Sequence, residues 1–417
     1  PSALPSVFPT SMPSYSQAPA LMKAHNWTSQ IYEDSLATNV VILQANTYMC
    51  GGMFSSFCLQ FDNPTGQLRS SAQFVWDQIN SVVALEDSLV LVGQWNGGSQ
   101  YVIARFNVKN WSLDWGINIY PHLSRLQAVT YHQNLREIIV IGYNDNRFIT
   151  AAAVDKDSGA LVWGYTYQIS GLNAYANSVY PLSNLDGFCL SGYVLDIARN
   201  YKFSILVVKI SIFGTISSIN ILENQYGDAQ SHALAVEPIS GDVFIVGVTF
   251  KNSDGVVNAL VARLKGSDNS VIWARELSSG LAERFVDVMF SDNSVYVIGS
   301  SAGFDNNKGK METDLIVMRL NAENGVTMRS ARISGPSSIV CSSFAKDDHG
   351  LRIACAVQDR ATLFFADRST LTPGDLPPGF VYHDDVESVI STVGTNGLSL
   401  TATDASASRF KLITPLA

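Results

Sequence analysis

A short apolar phrase ending in glycine returns along the chain. It reads Tyr48-Met49-Cys50-Gly51, Val90-Leu91-Val92-Gly93, Ile139-Val140-Ile141-Gly142, Cys189-Leu190-Ser191-Gly192, Ile245-Val246-Gly247 and Val297-Ile298-Gly299, with Arg352-Ile353-Ala354-Cys355 as a degenerate seventh copy. The copies recur roughly every fifty residues, the period of a four-stranded propeller blade rather than of a helical repeat. Between them, polar and apolar positions alternate in strand-length runs punctuated by Asp, Asn and Gly, the residues that hairpins require. The clearest unit runs through residues 127–131, 137–142 and 148–154, the turn Asp155-Lys156-Asp157-Ser158-Gly159, and Leu161-Val162-Trp163. Glycine at the end of the second strand predicts close packing of neighbouring blades near the ring axis.

Seven full units fit residues 37–77, 78–122, 123–171, 172–227, 228–281, 282–335 and 336–383. Residues 384–417 offer only three more strands, near 387–392, 398–403 and 409–412. The strand they lack is available at the other end of the chain, where Trp27 precedes Val41 by the same interval as Trp115 precedes Val129. An N-terminal strand completing the C-terminal blade closes a ring and removes its exposed edges. The expected fold is therefore all-β, an eight-bladed propeller closed by an N-terminal strand, with seven blades as the alternative. Two regions follow: an extended arm over residues 1–20 and a propeller over residues 21–417.

The arm has a period of its own. Pro1-Ser2-Ala3-Leu4, Pro5-Ser6-Val7-Phe8, Pro9-Thr10-Ser11-Met12 and Pro13-Ser14-Tyr15-Ser16 repeat proline, hydroxyl, variable and mostly apolar positions. Proline at every fourth residue excludes a helix and favours extended polyproline II. At about 3.1 Å per residue, such an arm reaches roughly 60 Å. Leu4, Phe8 and Met12 form a row of anchors, and Ser2, Ser6, Thr10 and Ser14 with Pro1, Pro5, Pro9 and Pro13 supply O-glycosylation or contact positions. An isolated polyproline arm has no internal hydrogen bonds, so the reading is that a neighbouring subunit holds it. Docking on its own propeller and a glycan-stiffened, mucin-like stalk are the alternatives.

Composition narrows the partners. The net charge is −9, and no Lys/Arg cluster offers the basic stripe that nucleic acid or an anionic membrane needs. No apolar run is long enough for a membrane-spanning helix. Charged residues are 15% and hydrophobic ones 47%, so the surface carries less charge than usual, as a surface covered by subunits or glycan would. A start at Pro1 rather than Met suits a processed secreted chain or an incomplete sequence. Cys341 and Cys355 lie symmetrically about Asp348, and Cys50 and Cys58 about Phe54, so each pair should face across a hairpin within disulfide reach. Cys189 has no such mate and reads as a buried thiol. Two sequons, Asn26-Trp27-Thr28 and Asn110-Trp111-Ser112, agree with secretion and predict N-glycosylation at Asn26 and Asn110.

The run from Thr313-Asp314-Leu315-Ile316-Val317-Met318-Arg319-Leu320 to Gly325 resembles secreted β-propeller repeat proteins whose blades read D-x-hydrophobic-V-x-K/R-L-x-x-x-G, a likeness covering about residues 37–383. The arm is similar to the Pro-Ser repeats of protist extracellular and flagellar-hair (mastigoneme) proteins, whose proline and hydroxyl residues are often glycosylated. Together these resemblances imply an extracellular structural protein, and no family active site transfers.

Enzyme chemistry has one lead. Asp155 to Trp163 looks like the A-x-D-x-x-T-G-x-x-x-W docking repeat of eight-bladed quinoprotein dehydrogenases. Those enzymes also need vicinal cysteines, which this sequence lacks. The acidic stretch Asp305 to Glu312 fails EF-hand spacing, and the histidines show no H-x-H or H-x-x-x-H pairing. Asp347-Asp348-His349 and Asp384-Asp385 read as turn and blade-junction residues. The expectation is no enzyme, no metal and no cofactor. The chain reads as an extracellular, disulfide-bonded glycoprotein that polymerises with itself through the arm into a filament or sheath. A lectin-like propeller with glycan partners is the alternative, and a quinoprotein-type enzyme the third reading.

Overall fold

The computed structural model describes residues 29–31, 37–52, 56–63, 67–74, 76–95, 100–118, 125–169, 171–182, 187–224, 227–251, 257–277, 282–305, 310–348, 350–357, 360–374, 376, 380–384, 390–391, 401–404 and 410–415. After β1 (Ser29–Ile31), strands follow in antiparallel sets. Blade 1 holds β2 (Ala37–Leu43), β3 (Asn46–Gly51), β4 (Ser56–Asp62) and β5 (Leu68–Phe74); blade 2 holds β6 (Gln78–Ala84), β7 (Ser88–Trp95), β8 (Gln100–Asn107) and β9 (Ser112–Asn118). Blade 3 is β10 (Arg125–His132), β11 (Glu137–Tyr143), β12 (Ile149–Asp155) and β13 (Leu161–Ile169), and blade 4 is β14 (Asn173–Pro181), β15 (Phe188–Asp196), β16 (Lys202–Ile210) and β17 (Ile216–Glu223). Blade 5 comprises β18 (Gly227–Val236), β19 (Val243–Lys251), β20 (Val257–Leu264) and β21 (Val271–Leu277), and blade 6 comprises β22 (Ala282–Ser291), β23 (Ser294–Asp305), β24 (Lys310–Asn321) and β25 (Thr327–Ser334). Blade 7 contains β26 (Ile339–Lys346), β27 (Gly350–Val357) and β28 (Arg360–Asp367). Four short strands end the chain: β29 (Val381–Asp384), β30 (Ile390–Ser391), β31 (Thr401–Asp404) and β32 (Phe410–Pro415).

Among the described residues there are seven sheets, so the propeller has seven blades and the expectation of eight is corrected. The terminal strands form no blade of their own. Instead β1 pairs with β28 and supplies the fourth strand of blade 7, while β29, β30, β31 and β32 are fifth strands on blades 6, 5, 4 and 3. The strand pattern of the C-terminal stretch was legible, but a strand pattern does not name its pairing partner. An N-terminal strand does close the last blade, and that blade is the seventh.

The second strand of each blade is apolar on both faces because it packs against a blade on either side. In β11, Ile138, Ile139, Val140 and Ile141 are all fully buried. Ile139 and Ile141 join the cluster shared with blade 4, whereas Ile138 and Val140 join the one shared with blade 2. The ring closes in the same way. Val40, Met49, Phe57, Leu59 and Phe61 of blade 1 pack on Ala354, Ala361 and Leu363 of blade 7.

The recurring glycine has a different role from the one its position suggests. The first strand of each blade carries a one-residue bulge at an equivalent place, after Ala37, Ile79, Leu126, Ala176, Ser231, Phe285 and Cys341. Directly opposite these residues stand Gly51, Gly93, Gly142, Gly192, Gly247, Gly299 and, in blade 7, Cys355. The bulge pushes a carbonyl across the pairing: a methyl on Gly142 would collide with the Arg125 oxygen, and one on Gly247 with the Gln230 oxygen. In blades 2 to 6, glycine therefore serves the bulge inside the blade rather than the contact between blades, while blade 7 carries the Cys355 disulfide partner at this position.

Candidate functional site

Two girdles of hydrogen bonds tie the blades together. The inner one is built from the bulges, which turn a polar side chain toward the next blade. Asn39 donates to the Asn80 carbonyl at 3.1 Å, Asn80 to the Leu126 carbonyl at 2.6 Å, and Asn177 to the Ser231 carbonyl at 2.8 Å. His232 Nδ1 lies 2.7 Å from the Phe285 carbonyl, and burial lowers the pKa of this imidazole. One step further along the strand, Ser81, Ser178 and Ser343 accept the amides of Val129, Leu234 and Val40 in the following blade. Asp287 fills that position in blade 6, where it accepts the Phe344 amide at 3.0 Å and the Val288 amide at 2.9 Å. Desolvation pushes the carboxyl of this half-buried residue up to about 7.

The outer girdle uses the turn between the third and fourth strands. Trp115 Nε1 donates to the Lys156 carbonyl at 3.1 Å, Trp163 Nε1 to the Ile212 carbonyl at 3.0 Å, and Trp273 Nε1 to the Ala322 carbonyl at 3.0 Å. Each indole lies where a side chain on Gly159, Gly214 or Gly325 would stand. Arg105 and Arg263 reinforce two of these junctions through the Lys156 and Ala322 carbonyls. The Asp155-to-Trp163 phrase is thus a packing element between blades, its turn receiving Trp115 and its Trp163 docking on blade 4.

Outside the girdles, the rim and one face carry features that bear on binding. At the rim, the fifth strands all pair with the C-terminal end of the outer strand: residues 331–334 of β25, 276–277 of β21, 220–223 of β17 and a stretch between Tyr165 and Ile169 of β13. The outer edges of blades 1 and 2, β5 and β9, carry no fifth strand among the described residues.

The face bearing the Gly142 and Gly192 ends of the second strands holds a row of half-buried rings across blades 3 and 4. Tyr143 meets Tyr175 edge-on at 4.9 Å, Tyr175 stacks on Tyr193 at 4.7 Å, and Tyr193 meets Phe203 at 5.7 Å. Arg125 lies over Tyr143 at 5.7 Å and donates to its hydroxyl at 3.4 Å. Burial pushes the Tyr193 phenol up to about 12. The Tyr193 hydroxyl therefore stays a protonated donor beside apolar ring surface, the chemistry a sugar ring uses. Sequence reading missed this row, because its members come from strand ends in different repeats.

Cys50–Cys58 and Cys341–Cys355 are disulfides, with each pair directly opposed in its hairpin and Cα atoms 4.1 and 3.9 Å apart. Cys189 is a buried free thiol whose pKa burial pushes up to about 12. Asn110 is exposed in the turn before β9, its side-chain oxygen accepting from Ser112 at 2.7 Å. Asn26, the arm positions Pro1 to Ser14 and His349 lie outside the described residues. Asp347 accepts the Gly350 amide at 2.8 Å and pairs with Arg352, a turn role.

No family model and no curated protein matches the chain. Among solved structures, it is similar to the WD40 beta propeller domain of Doa1, at 14% identity and a TM-score of 0.53, over 84% of this chain and 99% of that one. It is also similar to the Neurospora crassa Pan2 WD40 domain, at 10% identity and a TM-score of 0.50, over 83% and 97%. Identities this low carry the fold alone: the chain is a β-propeller resembling WD40 domains.

Proposed function

We propose that the chain is a non-catalytic structural subunit that assembles with its own kind outside the cell. The propeller would be the rigid body and the N-terminal arm the connector to a neighbouring copy. The observation that carries this reading is the rim: four blades accept an extended segment of the same chain as a fifth strand, so strand addition is the contact this surface makes. Two disulfides agree with an oxidising compartment. Head-to-tail contacts of an arm with a neighbour propagate as open helices when their rotation does not close. Deleting residues 1–20 should yield monomers with an intact ring, read by light scattering and electron microscopy. Filaments persisting unchanged in the deletion would sink the proposal.

The aromatic row favours a second reading, a carbohydrate-binding propeller. Here the isolated ring should retain sugars on a glycan array, and Tyr175→Ala should abolish that retention without changing the oligomeric state. An array blank for the intact ring would remove this reading.

A further inference from the structure

We propose that the aromatic row across blades 3 and 4 binds an acidic polysaccharide, whose carboxylate or sulfate groups are held by Arg125 and Arg147. This rests on the carbohydrate-binding reading of the row, and it names the class of sugar and the residues that select it.

The first argument is the supply of donors. Tyr143, Tyr175 and Tyr193 are each partly exposed. The Tyr143 hydroxyl accepts from Arg125, which leaves its own proton to donate. Among the described residues, the hydroxyls of Tyr175 and Tyr193 have no hydrogen-bond partner. These donors follow one line of rings, spaced at 4.9 and 4.7 Å. A ligand for such a line must bring acceptors, as the ring hydroxyls and anionic groups of an acidic sugar do.

The second argument is charge. Arg125 lies over the Tyr143 ring at 5.7 Å, and Arg147 stands close enough to the Tyr193 phenol to act on it electrostatically. Both side chains are exposed, and neither makes an ion pair among the described residues. Elsewhere arginines are neutralised by carboxylates: Arg105 by Asp87, Arg263 by Asp242, Arg332 by Asp314 and Arg352 by Asp347. At the Phe203 end of the row, Arg199 and Lys202 both pair with Glu223. The acidic group that bears on Arg125 is the exposed Asp145, in the same turn as Arg147. A chain of net charge −9 repels polyanions over most of its surface. Unpaired guanidinium groups beside stacked rings are the complement of an anionic sugar, and a neutral one has no use for them.

The third argument is that the Arg147 backbone is already in place. Its amide donates to the Asn144 carbonyl at 2.8 Å, and the Phe148 amide donates to Asn144 Oδ1 at 3.1 Å, closing the turn between β11 and β12. The Arg147 carbonyl then accepts the Ala174 amide of blade 4 at 2.8 Å. Ala174 precedes Tyr175, so the turn is fixed to the strand that carries the middle ring. Binding therefore has little backbone left to order.

Titration calorimetry on the full-length protein tests this with oligogalacturonate, a sulfated galactan oligomer, neutral dextran of matched length and a polyglutamate peptide. At least one acidic sugar should bind about tenfold or more tightly than dextran, roughly the value of a charge-assisted hydrogen bond, and which one binds identifies the anion. Arg147→Gln should remove that advantage, whereas Asp145→Asn, which deletes the carboxylate beside Arg125, should tighten binding. Both side chains are exposed, so both variants should keep the wild-type thermal midpoint. Dextran bound as tightly as the acidic sugars, with Arg147→Gln silent, would overturn the inference and leave the carbohydrate reading standing. Polyglutamate bound as tightly as the acidic sugars would overturn it in favour of an acidic peptide. A protein that binds none of the sugars would remove the carbohydrate reading and the inference together.

Discussion

At the residue scale, the bulges of blades 2 to 6 place a carbonyl oxygen in the volume a side chain on the opposed glycine would need. Gly247→Ala forces the Gln230 carbonyl to move within a fully paired sheet, and should cost about 2–4 kcal/mol in urea denaturation. Gly171 is the comparison: it has a φ of 76° and open space around it, so Gly171→Ala should cost only about 1–2 kcal/mol, the strain of a left-handed residue. Equal losses at the two positions would remove the collision argument. Asp287 adds a pH dependence. Its folded carboxyl titrates at about 7, above the ordinary value of 3.8, because burial opposes ionisation more than two amides favour it. The neutral form is therefore fully native-compatible below about pH 4, and stability falls as pH rises from about 4 to about 7, by up to about 4 kcal/mol at roughly 1.4 kcal/mol per unit. Asp287→Ser installs the hydroxyl that blades 2, 4 and 7 use for the same bond. The wild-type-minus-variant difference in stability should fall between about pH 4 and pH 7 and level off above, and a difference constant with pH would refute the assignment.

At the element scale, the two disulfides sit in blades 1 and 7, the neighbours whose contact closes the ring. Each staples one hairpin, β3 to β4 and β26 to β27. Ring closure joins strands from opposite ends of the chain, so it carries the largest loop-closure cost in the fold. Stiffening the two hairpins that meet there limits how far that junction can open. Loops of 8 and 14 residues correspond to about 2.5–3 kcal/mol each. Reduction should accelerate amide exchange in β3, β4, β26 and β27 before blades 3 to 5; uniform loosening of all blades would count against a closure role. The pairings were legible because a hairpin fixes its own register by symmetry about its turn. The role of the glycines was not, since their collision partners, such as Arg125 for Gly142, become neighbours only once a bulge has formed. Blade-to-blade bonds such as Trp273 to Ala322 were equally hidden, as they join backbone carbonyls that any residue could supply.

At the scale of the whole molecule, period and length suggested one blade too many. Residues 390–391, 401–404 and 410–415 do form strands, but the connector over 392–400 is longer than the two to five residues of a hairpin loop, and the glycine phrase is missing. Those two features distinguish a strap from a blade; the missing glycine phrase stood in the sequence, whereas the expected strands at 387–392 and 398–403 left a connector of hairpin length. The strap has a consequence for solubility. The C-terminal ends of the outer strands β13, β17 and β21 would otherwise present open edges with unpaired backbone groups. Seven blades of buried second strands and two girdles hold the ring without the strap, so a chain ending at Asp384 should fold, with a thermal midpoint close to that of the full length. Its uncovered edges should then pair between molecules. The expected outcome is a native circular dichroism spectrum with a mass that rises with concentration in light scattering, reversed by adding back a peptide of residues 385–417. A truncated protein that stays monomeric at every concentration would show that the rim needs no cover, and a truncated protein that fails to fold would make the strap part of the ring's own stability.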